Sequence, residues 1–130
     1  VAQINAATVS RNLYNTVNSD LINSYAWDTA IVYIQNFSGD TDYSKQNSLN
    51  ESLANTGVNS DEKCKINDMA SNTSEWTTEY CTFTDSSSAY PCISRGGCYY
   101  HSSYYTDTSA AKRATDSRYI NISFRCALYM

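Results

Sequence analysis

The hydrophobic period of the chain changes at Cys64. Before this point, residues 19 to 37 repeat apolar side chains at near-helical spacing, which predicts a helix from Ser19 to Phe37. After it, "PCISRGGCYY" (91–100) and "YINISFRCALYM" (119–130) alternate apolar and polar residues, as strands do. One helix followed by short strands and long loops is typical of the α+β class, with helices packed on short antiparallel strands.

The boundaries of the predicted helix follow from its flanking residues. Ser19 or Asp20 can cap its start, and Gly39 lies just past its end. We expect a weaker helix within residues 2–15, and a polar loop over residues 38–62 with one short helix at 46–54. The apolar positions expected to share one face of the main helix are Leu21, Tyr25, Ala26, Thr29, Ile31, Val32 and Tyr33.

Length and charge limit the classes of function. A chain of 130 residues predicts one domain, residues 1–130. The net charge is −4 and the lysines are scattered, so there is no basic surface for nucleic acid or for anionic membranes. The longest apolar runs, 30–34 and 126–130, are far too short for membrane insertion. Because the chain begins at Val1, we expect it to be the C-terminal part of a longer protein.

The five cysteines leave two alternatives. An odd number without C-x-x-C spacing does not make a disulfide framework or a zinc ribbon. A single bridge between Cys81 and Cys92 is one alternative, and buried or half-buried thiols are the favoured one.

Two patterns come near a site without completing it. Asp40, Asp42, Ser44 and Glu51 have the spacing of a calcium loop, but Lys45 stands where that loop needs glycine. Cys98 lies three residues before the only histidine, His101, and the interpretation favoured here is a surface pair without a catalytic role. We therefore expect no catalytic residue, no metal site and no cofactor.

The segment "GGCYYHSSYYTD" (96–107) has the composition of a binding surface. Four of the twelve tyrosines fall within residues 99–105. Tyrosine offers a large and stiff contact surface, and serine adds adaptable hydrogen bonds, as in antibody contact loops. The alternative is a tyrosine-rich edge packed on a neighbouring subunit.

Three motifs in order carry a family resemblance: "INDMASNTSEWTTE" (66–79), "SRGGCYY" (94–100) and "INISFRCAL" (120–128). They resemble the formylglycine-generating-enzyme, or sulfatase-modifying factor, branch of the C-type lectin fold. Ser71 and Ser123 stand where that family prefers glycine. The residues that the resemblance assigns to the scaffold are Trp76, Arg95, Gly96, Gly97, Phe124 and Arg125.

The resemblance implies one of two branches. In the copper oxidases of this family, the segment after R-G-G carries two catalytic cysteines; here the corresponding places fall near His101 and Thr106, so the oxidase motif is incomplete. The other branch is similar to the variable proteins of diversity-generating retroelements, in which this segment is the hypervariable region. Residues 98–107 are all types that adenine-directed mutation of Asn codons can produce.

We therefore expect a non-catalytic, hypervariable ligand-binding domain whose variable region is residues 98–121. The resemblance implies a protein or cell-surface ligand, display on a phage tail or bacterial surface, and a homo-oligomer formed through the parent protein. A copper oxidase and a structural or adhesive oligomerising domain are the alternatives. The proposed ligand-binding residues are Cys98, Tyr99, Tyr100, His101, Ser103, Tyr104, Tyr105, Asp107, Asp116, Arg118, Tyr119 and Asn121.

Overall fold

The computed structural model describes residues 1–45, 52–58, 60–80, 92–99, 114–115 and 122–129, with 114–115 described as backbone only. This part of the chain contains two helices and eight short strands. In chain order they are α1 (Gln3–Arg11), β1 (Asn18–Leu21), α2 (Ser24–Phe37), β2 (Glu62–Lys63), β3 (Ile66–Asn67), β4 (Ser74–Tyr80), β5 (Cys92–Arg95), β6 (Ala114–Thr115), β7 (Ile122–Phe124) and β8 (Cys126–Tyr129).

The largest sheet is built around β4. Its strand order is β6-β5-β4-β7, with β5 antiparallel and β7 parallel to β4. The register of β4 against β5 shifts between Trp76 and Tyr80, as it does at a β-bulge. Because β5 and β7 lie on opposite sides of β4, the chain between them must cross from one side of β4 to the other. The prediction of antiparallel strands is wrong for the β4–β7 pair, which is parallel.

Two smaller antiparallel pairs complete the sheets. β1 pairs with β8, so that Leu21 lies opposite Cys126. β2 and β3 form a hairpin whose two turn residues, Cys64 and Lys65, have φ values of 53° and 67°. Positive φ at both central residues is the geometry of a type I′ turn, whose twist matches that of the flanking strands.

Helix α2 begins five residues later than the sequence predicted. Ser19 and Asp20 belong to β1, and Asn23 caps the helix by accepting a hydrogen bond from the Ala26 N–H at 2.8 Å. The cap prediction was therefore wrong. The C-terminal end is as expected, since Ser38 is the C-cap and Gly39 follows with a φ of 80°.

The buried face of α2 is also rotated from the predicted one. It consists of Ser24, Trp27, Ile31 and Ile34. Tyr25, Val32 and Tyr33, which were expected on the core face, are exposed. Trp27 is fully buried and sets the rotation of the helix, because so large a ring must face the core.

The core has two parts that meet at β1. In the first, α2 packs through Trp27, Ile31 and Ile34 against Met69 and Ala70. In the second, Ala6 and Ala7 of α1 pack against Leu21, Trp76 and Ile122. The core role predicted for Trp76 is confirmed: it is 1% exposed, and its indole N–H donates to the Val1 carbonyl at 2.7 Å.

The α+β class is confirmed, as are the strands predicted after Cys64 and the weak first helix. The short helix predicted at 46–54 lies mostly outside the described residues, and 52–54 are not helical. Neither described helix is long and apolar enough to cross a membrane.

Candidate functional site

The two ends of the segment 98–121 lie close to the start of β4. At its start, the Tyr99 N–H donates to the carbonyl of Asn72, two residues before β4, at 2.8 Å, and the Ser74 hydroxyl donates to the carbonyl of the preceding Gly97 at 3.3 Å. Just after its end, Ile122 pairs with Ser74 in the parallel β4–β7 ladder. The flanking residues of the segment therefore meet at Asn72–Ser74, and within the segment β6 also pairs with β5.

A hydroxyl pair adds to the attachment at the returning end. The side-chain oxygens of Thr73 and Ser123 are 2.5 Å apart, and both residues are half-buried. Serine at position 123 supplies one of these two hydroxyls, which the glycine of the family pattern would lack.

Gly96 makes the turn out of β5. Its φ is 88°, and a Cβ at this position would lie 3.2 Å from the Met69 carbonyl oxygen. Glycine is needed here both for the backbone conformation and for the close approach of the Met69 loop.

Arg95 is a buried guanidinium between α2 and β5. It is 1% exposed and lies 4.3 Å from the centroid of the Trp27 ring, a cation–π contact. Its Nη2 donates to the Asp28 carboxylate. Among the described residues, its Nε and Nη1 have no hydrogen-bond partner. The prediction that Arg95 is structural is consistent with this geometry, because the residue joins the main helix to the start of the candidate segment.

Arg125 lies between β7 and β8 and pairs with Glu75 of β4. Its Nε and Nη2 donate to the two carboxylate oxygens of Glu75 at 2.6 and 2.7 Å, and Nη2 also donates to the Asn67 carbonyl at 3.0 Å. Burial disfavours the charged guanidinium, but Glu75 outweighs this effect and raises the pKa of Arg125. Full burial raises the pKa of Glu75, although Arg125 opposes that shift.

A second buried polar cluster lies beneath the hairpin. The Asp61 Oδ2 accepts hydrogen bonds from the Tyr43 hydroxyl at 3.1 Å and from the Ser71 hydroxyl at 2.6 Å. Burial, followed by the neighbouring Asp61 charge, raises the pKa of Tyr43. Serine at position 71 therefore supplies a hydroxyl that the glycine of the family pattern would lack.

The predicted binding residues are only partly within the described chain. Tyr99 is half-buried at the start of the segment. Cys98 is 1% exposed, so the prediction of a surface pair with His101 was wrong for this residue, whereas the favoured prediction of buried or half-buried thiols agrees with its burial. The remaining predicted binding residues lie outside the described residues: Tyr100, His101, Ser103, Tyr104, Tyr105, Asp107, Asp116, Arg118, Tyr119 and Asn121.

The family model of the sulfatase-modifying factor enzyme 1-like domain matches residues 5–130. The chain belongs to this family. No curated protein and no solved structure matches it significantly. The sulfatase-modifying factor family includes formylglycine-generating enzymes as well as non-catalytic members, so membership alone does not decide between catalysis and binding.

The copper site that the enzyme branch implies does not fit this sulfatase-modifying factor domain. The resemblance puts the two thiolate ligands near His101 and Thr106, which supply one imidazole and one hydroxyl instead. Copper(I) selects soft thiolate ligands, and this pair offers none. Both positions lie outside the described residues.

The other expected sites have different outcomes. Cys92 is a free thiol, so the predicted alternative of a disulfide between Cys81 and Cys92 is wrong. Burial raises the pKa of Cys92.

The predicted calcium loop is only partly described. Asp40 and Asp42 form ion pairs with Lys63 and Lys45, respectively, and Glu51 lies outside the described residues. Within the described ranges, no group of three or more His, Cys, Asp or Glu side chains is arranged for a metal ion.

Sequence reasoning missed the role of Asn72. Its side chain accepts from the Ala54 N–H at 3.2 Å and donates to the Ala54 carbonyl at 3.0 Å, while its own carbonyl holds Tyr99. Its φ of 62° is one that asparagine tolerates better than most residues. The available signal was its position in the motif "DMASN", in the part of the chain that carries the resemblance.

Proposed function

We propose that this is a non-catalytic ligand-binding domain of C-type lectin-like fold, in which residues 98–121 form the variable binding segment of a diversity-generating retroelement protein. One observation carries the proposal: the two ends of this segment meet at Asn72–Ser74, at the start of β4. Within the described residues, β6 is the part of the segment that pairs with another strand, so sequence changes outside β6 can leave the flanking strands unaltered.

We use the word frame for the described residues outside 98–121 that hold the ends of this segment. Variation within the segment must leave these residues unchanged. Arg95 is tied to Trp27 and Asp28, and Arg125 is tied to Glu75, all outside the segment. Gly96 fixes the direction in which the chain leaves β5. The residues with specific contacts lie outside the segment, and the tyrosine- and serine-rich residues lie within it. This division supports the proposed hypervariable region.

The composition of the segment suits recognition of a protein or cell-surface ligand. Tyrosine freezes only two side-chain torsions when it binds, which limits the entropy cost of association. In this proposal Tyr99, Tyr100, Tyr104 and Tyr105 are the anchors, and Asp116 and Arg118 select partners at the rim. Cys98 is left out of the contact set because its side chain is buried.

The retroelement hypothesis makes a genetic prediction. Many copies of the gene from one population should differ at codons within residues 98–121, through changes at template adenines. The codons for Trp76, Arg95 and Phe124 should stay constant in the same copies. Variation spread evenly along the gene, or its absence from 98–121, would sink the proposal. The same survey would show whether the parent protein belongs to a phage tail or to a bacterial surface.

Biochemical assays separate binding from the two alternatives. The oxidase alternative requires copper binding together with oxidation of a cysteine-containing peptide. The adhesive alternative requires a stable oligomer in which Tyr99–Tyr105 are protected from solvent labelling. A monomeric domain with labelled tyrosines and no copper-dependent oxidation is the result expected for a binding domain.

A further inference from the structure

A cleft of about 500 Å³ lies between the loop 52–58 and the strand end 123–125. Its lining includes apolar surface from Leu53, Ala54, Ile66 and Phe124 and carboxylates from Asp68 and Glu75. The cleft belongs to the frame rather than to residues 98–121. What it binds is therefore a separate question from whether that segment varies.

Asp68 brings an unused acceptor to this cleft. The residue is 5% exposed, and its Oδ2 accepts a hydrogen bond from the Gly57 N–H at 2.8 Å. Its Oδ1 is buried and has no hydrogen-bond partner among the described residues. An unpaired buried carboxylate oxygen is costly, and a donor from a ligand would remove that cost.

The charges lining the cleft favour a cation. Glu75 is already neutralised by its two-point pair with Arg125. Lys65 is 94% exposed and pairs with Glu62 at 3.3 Å. Asp68 forms no direct ion pair with a cation in the described part of the chain, and Arg125 acts on it only through a longer-range electrostatic interaction.

We propose that this cleft binds an alkyl-linked guanidinium or ammonium group, of the kind carried by arginine and lysine side chains. The apolar residues pack against the alkyl stem, and the cationic N–H group donates to Asp68 Oδ1. Charge-assisted hydrogen bonds to a carboxylate are among the strong ones, which makes Asp68 the residue that selects the ligand.

Residues 54–56 line the cleft together with Asp68, and the Gly57 N–H donates to its Oδ2. Because Oδ1 is buried, a donor reaches it only after neighbouring atoms move, and we infer that the loop 54–57 is the part that moves. Three hydrogen bonds restrain the loop, two between Ala54 and the Asn72 side chain and one from Gly57 to Asp68. Most of its residues are exposed, so the movement exposes little apolar surface. We expect the amides of residues 54–57 to respond most strongly to a bound ligand.

The test is an NMR titration of the domain with butylguanidinium, with butylurea as a neutral probe of the same shape. Saturable shifts of the amides of residues 54–57 and 68 are expected with the guanidinium, and binding of butylurea should be at least about tenfold weaker. Butyltrimethylammonium, which carries charge without N–H donors, should also bind weakly. Equal binding of the three probes overturns the proposal.

Two variants keep the test decisive. Asp68→Asn preserves a residue that tolerates the φ of 56° and should weaken guanidinium binding at least about tenfold. The matched control Asp42→Asn removes an exposed carboxylate outside the cleft and should leave binding unchanged. Should Asp68→Asn fail to fold, Thr56→Lys places a competing cation at an exposed lining position. Undiminished binding in Asp68→Asn, or in Thr56→Lys, contradicts the proposal.

Discussion

The guanidinium of Arg125 and the carboxylate of Glu75 form a two-point ion pair at 2.6 and 2.7 Å. Arg125 also donates to the Asn67 carbonyl, so one side chain joins the hairpin β2–β3, the central strand β4 and the junction of β7 with β8. The Glu75 side chain is 8% exposed and that of Arg125 is 22% exposed. Removal of either partner leaves a charge in a place that water reaches poorly.

We expect Arg125→Met and Glu75→Gln each to lower the free energy of unfolding by about 3–5 kcal/mol. The double variant should lose clearly less than the sum, because no uncompensated charge remains in it. Urea denaturation of the four proteins measures this coupling. The exposed pair of Arg11 and Asp20 is the control, and Arg11→Met should cost at most about 1 kcal/mol. Additive losses in the double variant would show that the two residues act independently.

The hydrogen bond from Tyr43 to Asp61 predicts a pH dependence of stability. Burial and the Asp61 charge raise the pKa of Tyr43 above its ordinary value of 10.0, so the folded protein keeps the phenol neutral while the unfolded chain ionises. The contribution of this group is complete below pH 10 and is lost as the pH rises further, by about 1.4 kcal/mol per pH unit.

Tyr43→Phe should remove this part of the slope above pH 10. At neutral pH it should cost only about 1–2 kcal/mol, because Ser71 still donates to Asp61. Urea unfolding between pH 7 and 11 measures both effects. Tyr25→Phe, at a position that is 83% exposed, is the matched control and should keep the wild-type slope. An unchanged slope in Tyr43→Phe would show that this phenol does not control alkaline stability.

The observed rotation of α2 predicts opposite outcomes at two neighbouring aliphatic positions. Ile34 is fully buried, whereas Val32 is 54% exposed. Ile34→Ala should lower the free energy of unfolding by about 2–5 kcal/mol, since the surrounding core closes the cavity only in part. Val32→Ala should change it by about 0.5 kcal/mol or less. A larger loss for Val32→Ala than for Ile34→Ala would favour the face that the sequence predicted.

The error at the start of α2 shows what a local pattern lacks. Residues 19–21 have helical spacing relative to the residues that follow, yet they pair with 126–128 at the other end of the chain. No window of neighbouring residues contains that strand partner. The strand β7 was predictable because residues 120–125 alternate apolar and polar side chains by themselves.

The sequence predicted which residues hold the candidate site but not which residues they contact. The motifs indicated that Arg95 and Arg125 hold the frame, but Asp28 lies 67 residues from its partner and Glu75 lies 50 residues from its own. Spacing could not identify these pairs.

A comparison of alanine substitutions at Gly96 and Gly39 measures how much the close approach at Gly96 adds to the loss of stability. Both have positive φ values, 88° and 80°, but a Cβ at Gly39 would meet nothing within 4 Å. Gly39→Ala should therefore cost only the backbone term of about 1–2 kcal/mol. Gly96→Ala should cost about 1–3 kcal/mol more, because the Met69 carbonyl must move. That movement should also speed hydrogen exchange at the Tyr99 amide, whose acceptor Asn72 lies in the same loop as Met69. Equal costs for the two substitutions, with unchanged exchange at Tyr99, would show that the start of the segment 98–121 is not held by this close approach.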